Sequence, residues 1–435
     1  MLLRKAKNNL NEWRRRNNKK CLIVRGARQV GKTYLIRDFG REYYEEVLEI
    51  NFKETPGAAD IFSGDLNVDS IINAMKFSYR DKQLIPGRTL IFLDEIQECS
   101  EALTSLKFFT DDGRFDVIAS GSMLGIDHNR ASSYPVGYVE YIEMYGLDLE
   151  EFLWSQGIDG GMLDSIREMY EKRRVVPEAI HRELMKCLRL YASLGGMPEV
   201  VWQYVQTGDI RVADKIQREL LLGYRYDIAH YATAEEKVKA EKCFLSLSKQ
   251  LLDKENHKFQ YKEVEAGSRA QKYYSSIEWL IKADVAGICR SVTDISYDLD
   301  DYARNDLFRL YTSDLSLLIA MKDYSLKKLI YDNSLEGNTK GGLYECVMAD
   351  ILQKKSYAMY YYKNDTTKKE VDFLIQKGGK VIPIEVKGGN AKATSLNSLK
   401  KKWPKLNECY KFVDGNVGIS ENGIITLPLY MAMFL

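Results

Sequence analysis

The segment 23-IVRGARQVGKTYL-35 joins an apolar run to a glycine-rich turn. An apolar segment meets Gly26, four residues pass, and Gly31-Lys32-Thr33 leads into helix-compatible sequence. This GxxxxGK[ST] spacing after a buried strand is that of a loop that wraps a polyphosphate with its backbone N–H groups. Glycine is needed because a side chain would block the phosphate and because the turn uses unusual backbone angles. The alternative is a chance match on a surface turn.

Each residue type in this loop has a role in that interpretation. Lys32 reaches the β- and γ-phosphates as a point charge, and the Thr33 hydroxyl ligates Mg²⁺. The helix that follows directs its dipole and its unpaired N–H groups at the anion. The sequence therefore predicts a site for ATP and Mg²⁺. The predicted cofactor-binding residues are Gly26, Ala27, Arg28, Gln29, Val30, Gly31, Lys32 and Thr33.

A second motif, 89-TLIFLDEIQ-97, reads as an apolar strand that ends in Asp94-Glu95. A magnesium-nucleotide site needs a carboxylate at the tip of a neighbouring parallel strand, so Asp94 joins Thr33 as a predicted metal ligand. Glu95 is placed to polarise the attacking water and is a predicted catalytic residue. The alternative for these acids is a helix N-cap, which is common after any strand.

A third strand, 115-FDVIASGS-122, ends in small polar residues. Ser120 or Ser122 senses the γ-phosphate from this strand in the same interpretation, and Ser120 is counted with the catalytic residues Lys32 and Glu95. The alternative is that both serines are loop residues at a strand end.

Composition limits the class of protein. The chain has 435 residues, 45% hydrophobic and 29% charged, as expected for a globular protein of two or three domains. Its net charge of +1 means that nucleic-acid binding must come from a local patch. Seven cysteines without a CxxC pair predict reduced, buried thiols and a cytoplasmic location. The apolar run 424–435 is too short to cross a bilayer, so no membrane contact is expected, and it is predicted to form a terminal strand.

Strand and helix patterns alternate over residues 21–150, which predicts an α/β fold with a parallel sheet and helices on both faces. The basic segment 4–20 carries eight Lys or Arg against one acid. It is predicted to be a helix that docks through Leu10 and Trp13, either as a solvated cap on this domain or as a nucleic-acid patch. The predicted domains are 1–155, 156–238, 239–295 and 296–435.

The order helix, short element, helix and strand-like 286-AGICRSVT-293 predicts a winged helix-turn-helix in the third domain. Its second helix, 269–284, is placed to enter a DNA major groove. The alternative is a module that contacts protein, because the same fold serves both purposes. The predicted DNA-facing residues are Arg269, Gln271 and Lys272.

The segment 370-EVDFLIQKGGKVIPIEVKGG-389 predicts a β-hairpin, and period-two alternation brings Asp372, Glu385 and Lys387 together. Two carboxylates and a lysine bind Mg²⁺ and activate water against a phosphodiester, so the acids are predicted metal ligands and all three predicted catalytic residues. A one-residue slip in pairing is expected to bury both acids. Pro383 implies an edge strand or a bulge. The alternative is a salt-bridged structural remnant.

The hairpin resembles the PD-(D/E)xK nuclease core, with Glu345 on an upstream helix as a further acid. No proline precedes Asp372 to complete the name-giving dipeptide, and Pro383 lies within the second strand.

The chain as a whole resembles a prokaryotic family of AAA-type ATPases with a C-terminal domain of unknown function. The resemblance implies a P-loop ASCE/AAA-type sheet, a helical linker, a winged helix and a nuclease-like α/β domain. Many members carry Gly-Arg where this chain has Gly137-Tyr138, and Arg130 is the nearest substitute for that arginine. The matching pieces are GARQVGKT at 26–33, INFKE at 50–54, LDEIQ at 93–97, SGS at 120–122, EEFL at 150–153, LGGMPEV at 194–200 and the hairpin.

Three functional hypotheses follow from these motifs. The first is a Mg-ATP-binding ATPase that acts as a nucleotide-dependent switch for its nuclease-like C-terminal half. The second is an ATP-gated DNA or RNA nuclease. The third is a regulator with slow ATP turnover whose winged helix binds DNA or a protein partner. Homo-oligomer formation is compatible with each hypothesis.

Overall fold

The structure is a computed structural model. The chain divides into two compact units. The first comprises residues 4–145 and 282–284, and the second consists mainly of residues 146–281 and 285–435. The structure describes residues 2–122, 135–231, 236–252, 258–364, 366–367, 369–389, 393–406, 408–420 and 422–435.

The first unit is built on a parallel sheet, which confirms the predicted fold class. In the described residues its five strands pair in the order β2-β3-β4-β1-β5, and every pair is parallel. Parallel neighbours need helical crossovers, which cover the sheet and explain why the middle residues of its central strands are mostly apolar. The strands are β1 (Cys21–Arg25), β2 (Glu46–Asn51), β3 (Thr89–Asp94), β4 (Asp116–Gly121) and β5 (Val139–Glu143); the helices are α1 (Ala6–Arg15), α2 (Lys32–Tyr43), α3 (Val68–Ser78) and α4 (Ser100–Asp112).

The strand order brings three motifs to one edge of this sheet. β4 lies between β1 and β3, with Val24 opposite Ser120. β2 pairs with β3 so that Asn51 lies opposite Asp94. Because parallel strands end at the same edge, the loop after β1 meets the tips of β3 and β4 there.

In the basic N-terminal segment only Ala6–Arg15 is helical, as α1, and this helix packs within the first unit as its spacing predicts. Leu10 and Trp13 are buried, and Lys7 forms ion pairs with Asp38 at 2.9 Å and Glu42 at 2.5 Å on α2. Part of its positive charge is thus bound to acidic side chains of this unit.

The second unit begins with the predicted helical region. The break in its middle is Gly195, whose φ of 70° and ψ of −162° end α7, a backbone conformation that favours glycine. The helices of the unit are α5 (Leu149–Ser155), α6 (Gly160–Glu171), α7 (Glu178–Leu194), α8 (Pro198–Thr207), α9 (Ile210–Tyr231), α10 (Glu236–Leu251), α11 (Tyr261–Val264), α12 (Ala270–Lys282), α13 (Leu315–Ala320), α14 (Tyr324–Tyr331), α15 (Gly337–Lys354) and α16 (Thr394–Lys402).

A mixed sheet completes the second unit. In the described residues its eight strands follow the order β12-β13-β11-β10-β9-β8-β6-β7. The apolar C-terminal run is a strand only to Pro428 and continues as a buried 3₁₀ helix, Leu429–Phe434. The strands are β6 (Ala286–Val292), β7 (Ala303–Thr312), β8 (Met359–Lys363), β9 (Glu370–Lys377), β10 (Lys380–Val386), β11 (Tyr410–Val413), β12 (Gly418–Ile419) and β13 (Ile425–Pro428).

β6, the strand predicted to be the wing, lies inside this sheet between β7 and β8. The boundary predicted between residues 295 and 296 therefore falls between two paired strands, β6 and β7. The division of the chain into four domains and the winged-helix assignment stay predictions.

β9 and β10 form the hairpin at its predicted position. Gly378 and Gly379 have φ of 55° and 74°, as a two-residue turn requires, and Phe373 pairs with Ile384. The expectation of an edge strand or a bulge at Pro383 is wrong, because β10 is paired with β9 on one side, in unbroken register through the proline, and with β11 on the other. The pairing of β10 with β11 begins only at Ile384, so Pro383 lies outside it. The missing N–H of the proline therefore removes no hydrogen bond from this pairing.

All seven cysteines lie in the described residues and are buried free thiols, as predicted. No helix among the described residues is long and apolar enough to cross a membrane.

Candidate functional site

The loop between β1 and α2 has the backbone that its glycines predict. Gly26 and Gly31 have φ of 148° and 92°, and Gln29 also has a positive φ of 64°. A β-carbon on Gly26 would lie 2.0 Å from the carbonyl oxygen of Met144. Only glycine therefore lets the loop pass the backbone beside β5.

The Lys32 side chain is buried and folded onto its own loop. Its Nζ donates to the carbonyl oxygens of Gly26 at 2.9 Å and Ala27 at 2.8 Å. Burial lowers the pKa of Lys32 from 10.5 to about 8, although the carboxylates of Glu95 and Asp94 oppose the shift. Two neutral carbonyls satisfy the ammonium only weakly, so an anion within its reach would bind it more strongly.

Asp94, at the tip of β3, collects hydrogen bonds from several elements. The Oγ1 of Thr33 and the Nδ2 of Asn51 donate to its Oδ2 at 3.0 and 3.1 Å. The hydroxyl of Ser120 and the N–H of Glu95 donate to its Oδ1. Burial raises the pKa of Asp94, and the bonds from Ser120 and Thr33 oppose that rise. The carboxylate is therefore fixed in position beside the Thr33 hydroxyl.

Glu95 follows in a left-handed conformation with φ of 53°. Its Oε2 accepts from the amide of Gln97 and, at 3.5 Å, from the hydroxyl of Ser122, while Arg28 Nε donates to that hydroxyl at 3.4 Å. These contacts join the predicted catalytic acid to the loop. Arg130, the predicted substitute for an arginine of the family, lies outside the described residues.

The groups at this edge fit ATP and Mg²⁺. Thr33 and Asp94 place two hard oxygens 3.0 Å apart, as a magnesium site requires. Lys32 adds a cation, and the α2 helix begins there with its N–H groups directed at the loop. Sequence reasoning did not assign Asn51 or Gln97 a role, although both lie in quoted motifs, INFKE and LDEIQ.

The C-terminal hairpin brings Asp372, Glu385 and Lys387 together as predicted. Glu385 Oε1 lies 2.7 Å from Lys387 Nζ, and Asp372 Oδ2 accepts from the N–H of Val386 at 2.7 Å. Both acids are nevertheless buried in this register, so the expectation that only a slipped pairing buries them is wrong. They tolerate burial because they are bonded, with Glu385 also accepting from the N–H of Leu396 at 3.4 Å.

An arginine that sequence reasoning missed lies beside these acids. Arg309 on β7 is buried and forms ion pairs with Glu345, at 3.2 Å, and with Glu370. The predicted further acid, Glu345, thus binds a guanidinium. The sequence feature that could have revealed Arg309 is its position as a lone arginine in the apolar strand 307-LFRLYT-312.

This second cluster does not fit a divalent metal in the arrangement described. Its acids bind Arg309, Lys387 and backbone N–H groups. Among the described residues, no group of three or more His, Cys, Asp or Glu is arranged to hold a metal ion. The roles of Asp372 and Glu385 as metal ligands and of Lys387 in catalysis stay predictions.

The predicted DNA-facing residues lie at the start of α12. Arg269, Gln271 and Lys272 are exposed, and Lys272 pairs with Glu265, which also lies 3.3 Å from Lys242. Their contact with nucleic acid stays a prediction.

A buried charge network occupies the middle of the second unit. Lys354 Nζ lies 2.6 Å from Asp314 Oδ2 and 3.0 Å from Asp350 Oδ1, and it donates to the Tyr191 hydroxyl at 2.9 Å and to the carbonyl of Leu147 at 3.1 Å. The network explains part of the motif LGGMPEV, because a β-carbon on Gly195 or Gly196 would collide with Asp314. Its sequence signal was the i, i+4 pair Asp350 and Lys354 on an apolar helix.

Comparison with known families agrees with the fold. Residues 18–153 match the model described as AAA domain. Residues 185–328 and 340–431 match two models described as Domain of unknown function, DUF8612 and DUF4143. The chain therefore carries an AAA-type P-loop ATPase domain. This domain is followed by a C-terminal domain of unknown function, as the resemblance implied.

Two solved structures resemble the chain distantly. The Orc1 protein of Aeropyrum pernix in complex with DNA is 12% identical, with a TM-score of 0.31, over 76% of this chain and 94% of that one. AMPPCP-bound DnaA of Aquifex aeolicus is also 12% identical, with a TM-score of 0.31, over 63% and 86%. None of the curated proteins matches the chain.

Proposed function

We propose that the protein binds and hydrolyses Mg-ATP at the loop 26–33 and that its nucleotide state controls its C-terminal half. The observation that carries the first part is the meeting of Thr33, Asp94 and Lys32 at one edge of the sheet, with the Thr33 hydroxyl 3.0 Å from the carboxylate.

The residues at this edge have different roles in binding Mg-ATP. Lys32 exchanges the carbonyls of Gly26 and Ala27 for the β- and γ-phosphates, which binds the triphosphate. Thr33 and Asp94 would hold the magnesium ion, which screens the phosphate charge and orients the nucleotide. Ser120 keeps Asp94 in position through its hydrogen bond.

Glu95 acts as the base that orients the attacking water. In the structure described, its Oε2 accepts hydrogen bonds from Gln97 and Ser122. A carboxylate offers about four acceptor sites on its two oxygens, so Glu95 can keep these bonds and still accept a hydrogen bond from the attacking water. Arg28 contacts Ser122 at 3.4 Å, so a phosphate that draws Arg28 away would loosen the hold on Glu95.

A short chain path supports the link to the C-terminal half. The N–H of Met144 donates to the carbonyl of Arg25 at 2.8 Å, directly before the loop. Three residues further along the chain, Leu147 donates to the carbonyl of Gly196 at 2.6 Å and accepts from Lys354 at 3.1 Å. Met144, which is hydrogen-bonded to the residue before the nucleotide loop, is thus three residues from Leu147, which contacts the buried network around Lys354 of α15. A backbone shift at the loop therefore has a short path along the chain to this network.

Calorimetry and an ATPase assay test the first part of the proposal. Lys32→Ala should weaken Mg-ATP binding by at least about tenfold, because the phosphates lose a charged partner. Glu95→Gln should bind ATP but hydrolyse it about 10²–10⁴-fold more slowly. Lys76→Ala, on an exposed position of α3, is the matched control. Binding of ATP by Lys32→Ala at wild-type affinity would disprove the site.

Hydrogen exchange of the full chain tests the link. Glu95→Gln with Mg-ATP should change the protection of α13 and α15, and Lys32→Ala with Mg-ATP should not. Unchanged exchange in Glu95→Gln, with ATP bound, would reject the switch and leave the ATP site intact.

An ATP-gated nuclease remains the alternative function for the C-terminal half. Plasmid nicking with Mg²⁺ or Mn²⁺, compared between the wild type and Glu385→Ala, separates it from the switch. The pairing of Arg309 with Glu345 and Glu370 favours an intact plasmid in both samples.

A further inference from the structure

A cavity of about 560 Å³ opens beside the sheet of the second unit, outside the loop 26–33. It lies where two strand ladders are irregular. On one side Arg290 pairs with Phe308 but Ser291 with Arg304, so residues 305–307 leave the ladder between β6 and β7. On the other side the register between β8 and β9 shifts after Tyr360. Such bulges occur often beside functional sites because they open space and redirect side chains.

Positive charge dominates the lining of this cavity. Among the described residues that line it, four are cationic and none is acidic: Lys258, Arg304, Lys363 and Lys402. Hydroxyl and amide groups of Ser291, Thr293, Asn364 and Thr366 complete the polar wall.

Two carboxylates near the cavity neutralise part of this charge. Asp306 forms an ion pair with Arg304 at 2.9 Å, and Glu370 lies 3.4 Å from Lys363. Among the described residues that line the cavity or form ion pairs with its lining cations, there are four cations and two carboxylates, an excess of two positive charges. The whole chain has a net charge of only +1, so this excess is a local feature.

The other two lysines have no ion pair with an acid in the described part of the chain. Lys402 Nζ donates to the Tyr362 hydroxyl at 3.1 Å and lies 4.0 Å from the centre of the Trp403 ring. Lys258 is exposed and also lines the cavity. These two ammonium groups are therefore the ones best placed to bind an added anion.

We propose that this cavity binds a phosphate-bearing ligand of nucleotide size, either a segment of a nucleic-acid strand or a free nucleotide. Its volume lies in the range of about 300–1,000 Å³ that is typical of small-ligand sites. Lysine and arginine recognise phosphate through charge-assisted hydrogen bonds, and hydroxyl groups add further donors. This binding is independent of ATP at the loop 26–33.

Fluorescence anisotropy of the full chain with a labelled oligothymidylate at low salt tests the proposal. Lys258→Ala with Lys402→Ala should weaken binding by about tenfold or more and reduce the salt slope by about 1.4, at about 0.7 per phosphate contact on a single strand. Lys76→Ala with Lys215→Ala removes the same charge from α3 and α9 and should bind as the wild type does. Lys258→Arg with Lys402→Arg should retain binding.

Competition by AMP, in a Lys32→Ala background that removes the ATP site, distinguishes the two sources of phosphate. Displacement of the oligomer by AMP at similar concentration, or binding of AMP alone, assigns the cavity to a free nucleotide. Displacement only by excess oligomer assigns it to a strand. Wild-type affinity in the Lys258→Ala, Lys402→Ala variant for every probe, or no binding of any probe to the wild type, would overturn the proposal. Either result leaves ATP binding at the loop unaffected.

Discussion

Thr33 donates a hydrogen bond of 3.0 Å from its Oγ1 to Oδ2 of Asp94, although 61 residues separate them in the chain. The contact exists because β4 lies between β1 and β3 and all three strands end at one edge. It joins the two halves of the predicted nucleotide site, one after each strand.

The first prediction concerns pH and ATP affinity. The pKa of Lys32 is lowered to about 8 by burial, so above that pH the free protein has a neutral amine. The triphosphate favours the ammonium, so binding above about pH 8 should take up a proton and weaken about tenfold per pH unit. Calorimetry at about pH 7 and pH 9, in buffers of different ionisation enthalpy, measures both effects. Lys32→Arg keeps its charge and should show neither; equal wild-type affinity at both pH values would contradict the prediction.

The second prediction concerns Gly26. Its substitution by alanine places a β-carbon 2.0 Å from a backbone oxygen, that of Met144, at a φ of 148°. A backbone neighbour has little freedom to move, so Gly26→Ala should destabilise the first unit by about 2 kcal/mol or more. Gly87→Ala is the control, with φ of 72° and open space around the new carbon; it should cost about 1–2 kcal/mol. Thermal denaturation compares them, and a Gly26→Ala protein as stable as Gly87→Ala would refute the close approach.

The third prediction concerns Lys354. Lys354→Met leaves Asp314 and Asp350 buried without their cation, which should reduce the free energy of unfolding by about 3–5 kcal/mol. Lys328→Met, at an exposed position of α14, should change it by less than about 0.5 kcal/mol. Urea denaturation measures both variants. Equal midpoints would mean that the network does not stabilise the fold.

The fourth prediction concerns Asp350 and pH. Burial raises the pKa of Asp350 from 3.8 to about 6, against the opposing charge of Lys354. Because its pKa is raised in the folded state, the contribution of Asp350 to the free energy of unfolding is fully present below pH 3.8 and is lost as pH rises through about 6. The free energy of unfolding of the wild type should therefore fall between those values relative to that of Asp350→Asn. Denaturation of both proteins across this range measures the difference, with the exposed Asp332→Asn as control; a constant difference would contradict the raised pKa.

Features that depend on residues close together in the chain could be predicted from the sequence. The loop 26–33 needs glycines, a lysine and a threonine at fixed spacing, and the Lys-Gly-Gly-Lys turn sets the register of the hairpin. The parallel sheet was predicted from alternating strand and helix patterns. These patterns can be recognised because the spacing of apolar residues in a strand differs from that in a helix, and a few residues are enough to tell them apart. Asp94 and Glu95 were recognised for the same reason, since they directly follow an apolar strand.

Contacts between residues far apart in the chain could not be predicted from the sequence. The pairing of β6 with β7 and β8, the position of Arg309 among the acids and the ion pairs of Lys354 depend on contacts between segments far apart in the chain. Burial of Asp372 and Glu385 depends in the same way on what covers the sheet. The position of a residue along the chain determines which face of its own helix or strand the side chain lies on. Which residues pack against that face depends on the fold, and those neighbours determine the burial and the electrostatic environment of the side chain.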